Sequence, residues 1–421
     1  MHHITRVSSM HQIAAERFLG NRASGVWASR KLDLAKGHLV GRVASRMRTV
    51  AAAEYDVAFL GGGLAATLLL NGLRTAFPKR VAVIDPWPTS ERPPVHWSYW
   101  SRGTTPYDRF AVGTWLRARV ADAPPESIAP FALRLVRSTD VLAAVGKPLV
   151  DMPIDWLRAS ALSVRMRTDG LYEVETDVGA VRASWVLDSA CGVEPTFPSP
   201  HRPRALLSGT GLRVEAGGPT FDNGIATLFD PLDERSFAYL LPLSTTEALL
   251  ESASFGSEGM GEDREPLLGY LRSRYPGVDF SVSHSEYGTI PLGFAPPRTV
   301  GPRHVLIGAK RGLVKPSAGY GVVRIAEDCE RSARLWKQRQ PLPPSRRSPQ
   351  PWRLLDKGFV RLAAQDPRLP MALLGRVMSA IPLAQSLSFI SEELRVRELG
   401  PLLRTAAPIV FGNRRERLQR N

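Results

Sequence analysis

Three consecutive glycines followed by small and apolar residues, Gly61-Gly62-Gly63-Leu64-Ala65-Ala66, are the first residues in this chain whose types and spacing suggest chemistry. They follow the apolar run Val57-Ala58-Phe59-Leu60 and open a stretch of helix-forming composition from Leu64 to Phe77. In such a unit Gly61 permits a tight turn and Gly63 lets backbone approach a pyrophosphate. Ala66 stands at the third, close-packing position, where alanine is tolerated. The helix start offers N–H groups and the positive end of its dipole to phosphate oxygens. A second apolar run, Arg80 to Asp85, ends on an acid placed to accept hydrogen bonds from a ribose diol. Strand, glycine turn, helix and acid-ended strand together predict the start of a βαβ unit that cradles a dinucleotide. The bland alternative is a glycine-rich turn in an α/β domain without a nucleotide.

A second glycine-rich helix start lies far downstream. Gly308-Ala309-Lys310-Arg311-Gly312 follows the strand-like Val305-Leu306-Ile307, and Lys315-Pro316-Ser317-Ala318-Gly319-Tyr320-Gly321 opens a helical stretch to Lys337. Two such units far apart are the arrangement of flavoproteins, in which the second meets the isoalloxazine end of FAD. Its N-terminal amides stabilise negative charge on a reduced flavin. A nicotinamide enzyme would not need the second unit. Candidate cofactor-binding residues are therefore Gly61, Gly63, Ala66, Asp85, Gly308, Gly312, Pro316, Gly319 and Gly321.

Two further features are weaker alone. Glu251, in Leu249-Leu250-Glu251-Ser252-Ala253, follows an apolar strand, and desolvation there would raise its carboxyl into the range of a working proton donor. A strand-end glutamate is also commonly a solvated edge residue. Trp97-Ser98-Tyr99-Trp100 is a dense aromatic cluster; core packing explains it, and so does an aromatic wall that holds an apolar ligand or faces a cation.

The elements that must position these residues follow from pattern. Residues 1–54 read as a basic extension with weak helical character, and Met47 offers an alternative start to the native product. Residues 95–150 read as short helical pieces among Pro, Gly and aromatics. Alternating segments between 162 and 188 and between 206 and 256, notably Phe237 to Leu241 and Ala248 to Glu251, read as sheet. The expected organisation is a cofactor-binding domain over 55–338 with an interleaved substrate sheet, a Pro/Arg-rich linker over 339–352, and a helical region over 353–421 with a basic tail.

Bulk properties bound the function class. The chain has 421 residues, 43% hydrophobic and 23% charged, which is ordinary for a globular protein. Cys191 and Cys329 cannot form a disulfide framework and have no metal-ligand spacing; no metal site is expected, and a reducing, cytoplasmic compartment fits. The formal charge of +15 lacks the motifs of a nucleic-acid binder and suits an anionic membrane surface better. No stretch reads as a transmembrane helix. The uncharged segment Val377 to Ser391, preceded by Arg368 and Arg376, reads either as an interfacial helix or as a lid packed on the core.

In order, Gly61 to Ala66 with Asp85, the Trp97–Trp100 cluster, Phe221-Asp222, Ala226 to Asp230, Tyr239 to Leu243 and Gly312 to Gly321 resemble the lycopene cyclase family over roughly residues 55–400. The resemblance implies an α/β fold: a Rossmann-type FAD-binding domain with an inserted β-sheet substrate domain, related to aromatic-ring hydroxylases, and a helical C-terminal region. It implies non-covalent FAD in reduced form, with NAD(P)H as reductant, and a lipophilic linear carotenoid whose ends close into ionone rings without net redox change. It points to Glu251 as the proton-handling residue, with Trp97, Tyr99, Trp100 and Tyr239 at the substrate, in a protein peripheral to the membrane. An FAD-dependent monooxygenase and a non-catalytic flavin or carotenoid binder are the alternatives. The chain departs from the family pattern at three places. Ser252 and Ala253 stand where the family has a second acid and a threonine, Lys310 and Arg311 replace small residues, and Val95 replaces a basic one.

Overall fold

The computed structural model describes residues 53–76, 78–87, 91–190, 194–195, 205–256, 262–293, 301–340 and 350–394, with residues 400 and 404. Residues 1–52 of the basic extension expected over 1–54, most of the linker and the basic tail lie outside the described residues.

The central sheet grows from apolar strands buried on both faces, as parallel strands must be. Strands Ile154–Arg158, Val81–Asp85, Glu54–Leu60 and Gly179–Asp188 run parallel in that order. The long strand Gly179–Asp188 divides its outer edge between two partners. Its first half pairs antiparallel with Tyr172–Thr176, and Val186 to Asp188 pair parallel with His304–Leu306. The carboxyl ends of the parallel strands therefore meet at one edge, which joins Gly61, Asp85, Asp188 and Gly308. Open α/β sheets bind their ligands outside the carboxyl ends of the strands.

Helices Leu64–Leu73 and Val322–Lys337 cover one face, burying Leu69, Leu70, Cys329 and Ala333 against Val57, Phe59 and Val83. Tyr172, Val174, Val164 and Val181 of the antiparallel extension join the cluster on Ala58, Leu60 and Ile84.

The second sheet runs Phe280–Leu292, Ala205–Ala216, Glu247–Gly256, Ser236–Pro242, Ile225–Pro231, Arg117–Val120 and Glu126–Ser127. Its strands alternate faces with period two. Leu212, Leu250 and Leu240 pack on helix Glu265–Arg274 through Leu267 and Leu271. Leu207, Leu249, Tyr239 and Leu241 face the other way, into a core shared with Phe359, Leu374, Leu383 and Leu387. Those last residues come from helices Gln350–Gln365, Arg368–Ala380 and Leu383–Ile390. Between 377 and 391 the apolar residues Leu383, Leu387 and Ile390 are thus core residues, and the backbone N–H of Leu383 donates to Glu126. Among the described residues no helix is long and apolar enough to cross a membrane.

The stretch 95–150 differs from its sequence reading. Strands His96–Ser101, Ala132–Arg137 and Ala111–Trp115 form a three-stranded antiparallel sheet with Ala132–Arg137 in the centre, and the short helical pieces are helix Ser138–Gly146 and the single 3-10 turns Asp108–Phe110 and Lys147–Leu149. Aromatic and β-branched side chains suit a pleated, half-buried surface, and burial of Leu133, Leu135 and Val136 holds the pairing.

Candidate functional site

The two glycine units, more than 240 positions apart in sequence, meet at the edge of the parallel sheet. Gly61 turns with φ +87°, and a Cβ there would sit 2.6 Å from Ser189 Oγ. Gly63 caps helix Leu64–Leu73, and nothing lies within 4 Å of where its Cβ would be. The helix start therefore faces open space, as a site for backbone-bound phosphate requires. Ala66 is fully buried behind it. Asp85 closes the turn: its Oδ2 accepts from the Gly62 N–H at 2.6 Å and from Arg92 Nη2 at 2.6 Å, and its Oδ1 accepts from the Trp87 N–H at 2.8 Å. Gly308 leaves no room for a side chain, since a Cβ would come 2.9 Å from that of Ala65. Next to it Asp188, fully buried, accepts from Lys310 Nζ at 2.7 Å and faces His304 Nε2 at 3.1 Å. Lys310 thus anchors this loop to the strand end and Arg311 pairs with buried Asp328, which explains why charged residues are tolerated here.

The second glycine loop is held from below by a buried cation. Lys315 Nζ donates to Asp356 at 2.7 Å and to Glu392 at 3.1 Å and lies over the Trp352 ring, tying the loop to the C-terminal helices. Gly312 and Gly319 adopt positive φ, Pro316 stands between them, and Gly321 precedes helix Val322–Lys337. Ser317 Oγ in this loop is buried without a hydrogen-bond partner among the described residues. Together the open space at Gly63, the acid-closed turn and this unsatisfied hydroxyl can hold an extended dinucleotide.

Tyr320 of the same loop leads to the chemistry. Its ring lies 4.1 Å from that of Trp100, and side-chain hydrogen bonds link it to Ser98 and to Tyr239. It borders two adjoining cavities, one of about 440 Å³ lined by Tyr99, Trp100 and Lys315, the other of about 280 Å³ lined by Trp97, Tyr239, Glu251 and Glu286. Tyr99 turns its hydroxyl to Asp108, at 2.9 Å, on the far side of its strand from Trp100.

In the smaller cavity four strands place one residue each in a single row. Tyr239 pairs with Glu251, Glu251 with Gly211, and Gly211 with Glu286. Paired residues share a sheet face, so both carboxylates and the phenol stand on the cavity side. Burial pushes the Glu251 carboxyl up to about 8, and the negative charge of Glu286 adds to the shift. Tyr239 is raised well above its usual value by burial, so its hydroxyl is neutral. Glu286 accepts from the backbone N–H of His96 at 3.0 and 3.1 Å, and His96 Nδ1 lies 2.9 Å from its Oε2. Ser252, the next residue after Glu251, faces the opposite way, and its hydroxyl accepts from the Thr210 N–H at 3.2 Å.

The structure brings Glu251, Tyr239, Trp97 and Trp100 to the two cavities with the second glycine loop, and gathers Gly61, Gly63, Asp85 and Gly308 at the sheet edge. Sequence reasoning missed Glu286, His96, Gly211 and Tyr320. Tyr320 stood inside a motif already singled out. Glu286, flanked by Ser285 and Tyr287 in a polar strand, carries no local sign of its environment.

The family model described as "Lycopene cyclase protein" matches residues 56–362. The chain belongs to the lycopene cyclase family. This lycopene cyclase family chain shares its fold with solved proteins of other kinds. A flavin-dependent brominase, Bmp2, is 13% identical with a TM-score of 0.53, covering 86% of this chain and 100% of that one. A geranylgeranyl bacteriochlorophyll reductase-like protein from Thermoplasma acidophilum is 15% identical with a TM-score of 0.50, covering 87% and 100%. HpxO from Klebsiella pneumoniae, complexed with FAD, is 14% identical with a TM-score of 0.50, covering 84% and 98%. Such identities show a common fold. A comparison with curated proteins finds no match.

Proposed function

We propose that this protein closes the end groups of a linear carotenoid into ionone rings by proton-initiated, redox-neutral cyclisation, with non-covalent FAD. The observation that carries the reading is Glu251, a carboxyl raised to about 8 that lines an aromatic-walled cavity and so holds a proton at neutral pH. Protonating a terminal isoprenoid double bond leaves a carbocation, the neighbouring alkene closes on it, and a proton then leaves.

Glu251 supplies the first proton. Trp100 and Tyr320, their rings 4.1 Å apart, line the cavities in which the cation forms, where aromatic quadrupoles attract positive charge. Tyr239, neutral and bonded to Tyr320, fixes that ring at the junction of the two cavities. The open space at Gly63, Asp85 and the loop from Gly308 to Gly321 would hold FAD, which when reduced supplies negative charge complementary to the cation. NAD(P)H is the expected reductant. FAD-complexed HpxO and the flavin-dependent brominase, which share the fold, support this cofactor. The lipophilic substrate and the charge of +15 support work at an anionic membrane surface.

Expression in a lycopene-accumulating host, with pigment analysis of wild type and Glu251→Gln, tests the reading. Cyclic carotenoid from the wild type and none from the variant is expected. Unchanged lycopene in the wild type sinks it, and an oxygenated product would instead assign a flavin monooxygenase.

A further inference from the structure

We infer that Glu286 is the second proton-handling group of this site, taking the proton that the ring-closed cation releases after Glu251 has supplied the one that starts the reaction. The inference rests on the carotenoid-cyclising reading above and extends it to a residue on a different strand.

The geometry begins with Gly211. This residue lies between the two acids in the row, paired to Glu251 on one neighbouring strand and to Glu286 on the other. Two strands apart, their backbones are separated by about 9–10 Å, a distance that ordinary side chains on the middle strand would fill. At position 211 there is none. A Cβ there would come 2.7 Å from Glu286 Cγ and 3.2 Å from its Cδ, so the Glu286 side chain lies over the vacant position. Both carboxylates line the same cavity of about 280 Å³.

The two acids are held for opposite roles. Both oxygens of Glu286 face the backbone N–H of His96, and Oε2 also faces His96 Nδ1 at 2.9 Å and His284 Nε2 at 3.5 Å. These contacts suit a carboxylate that accepts. Glu251 sits among apolar and aromatic groups and is the member burial keeps protonated. A carboxylate held by donors beside a carboxyl lined by apolar and aromatic groups gives the two residues the surroundings of a base and an acid. Position 252 alternates to the other face of the strand from Glu251, where the Ser252 hydroxyl accepts from the Thr210 N–H and Thr210 Oγ1 accepts from the Asp263 N–H.

The step balances without a further reagent. A proton passes from Glu251 to the terminal alkene carbon and forms a C–H bond, and the alkene pair of the neighbouring double bond forms the ring C–C bond. Glu286 then removes a proton from a carbon next to the new cationic centre, and the C–H bonding pair becomes the ring double bond. Glu251 ends as carboxylate and Glu286 as acid. Return of one proton from Glu286 to Glu251 restores the start, with no electron gained or lost.

The test uses the full chain, in the lycopene-accumulating host and as purified protein. Glu286→Gln should lower ring formation on the order of 100-fold, while Glu286→Asp, which keeps a carboxylate, retains more activity than Gln. In purified protein the titration of Glu251, read by infrared difference against Glu251→Gln, should shift from about 8 toward lower pH when Glu286 is Gln. Wild-type ring formation by a folded Glu286→Gln protein overturns the inference, as does a Glu286→Asp variant no more active than Gln. The infrared titration separates this inference from the reading it rests on. If the wild type makes no ring, the cyclase reading fails by itself, and an unmoved Glu251 midpoint would show that the two acids are not a pair.

Discussion

Glu251 and Glu286 stand in one row of an antiparallel sheet with only Gly211 between them, so one missing side chain lets two acids share a cavity. Gly211→Val should therefore separate them. The branched side chain must displace the Glu286 stem, while the strand itself favours valine. We expect ring formation to fall at least about tenfold with an unchanged far-ultraviolet circular dichroism spectrum. A Gly211→Val protein with wild-type pigment output would show that the vacancy has no role.

The pH profile should follow Glu251. Its protonated form is the active one, so cyclisation should be flat below about 8 and fall as pH rises through that value, about tenfold per unit beyond it. Initial rates on carotenoid presented in vesicles, measured between pH 6 and 9.5 as roughly spaced points, check this. A rate that instead rises across pH 8 would mean that Glu251 acts as a base in the limiting step.

Gly61 tests the dinucleotide unit. Its φ of +87° costs an alanine about 1–2 kcal/mol, and the added Cβ would meet Ser189 Oγ at 2.6 Å. Either the Ser189 hydroxyl gives up its bond to the Leu60 carbonyl or the turn shifts, and with it the helix start at Gly63. Gly61→Ala should therefore purify with less flavin per chain, read from the visible absorbance after gentle purification. A fully yellow variant would place the pyrophosphate elsewhere.

Lys315 tests the coupling between the second glycine loop and the C-terminal helices. Burial raises the Asp356 carboxyl and Lys315 pulls it back. Lys315→Met removes the cation and leaves Asp356 and Glu392 facing each other, which costs about 3–5 kcal/mol for a buried pair broken on one side. Thermal unfolding should show a lower midpoint. Adding Asp356→Asn to the variant should recover part of the loss, and no recovery would assign the effect to packing on Trp352.

The nucleotide end of the site was legible because its parts are consecutive. Strand, turn and helix from Glu54 to Leu73 form one contiguous stretch, and Asp85 follows within one βαβ unit, so glycine spacing and apolar runs suffice to place them. Glu251 was legible as an acid inside an apolar strand, though whether it faced solvent was not. Between residues 95 and 150 the short helical pieces were legible but the strands were not, because they take their partners from beyond the local window, as Trp97 does from Val136.

By itself, then, the sequence determined the family, the α/β class, the two glycine units and one candidate acid, all features written in contiguous residues. Tertiary structure alone decided that Gly308 packs on Ala65, that Ser252 turns away from Glu251, and that Glu286 and His96, 190 positions apart, meet beside it. The physical reason is strand register. A shift of one residue moves a side chain to the other face of a sheet, and register between distant strands is set by how the whole core packs.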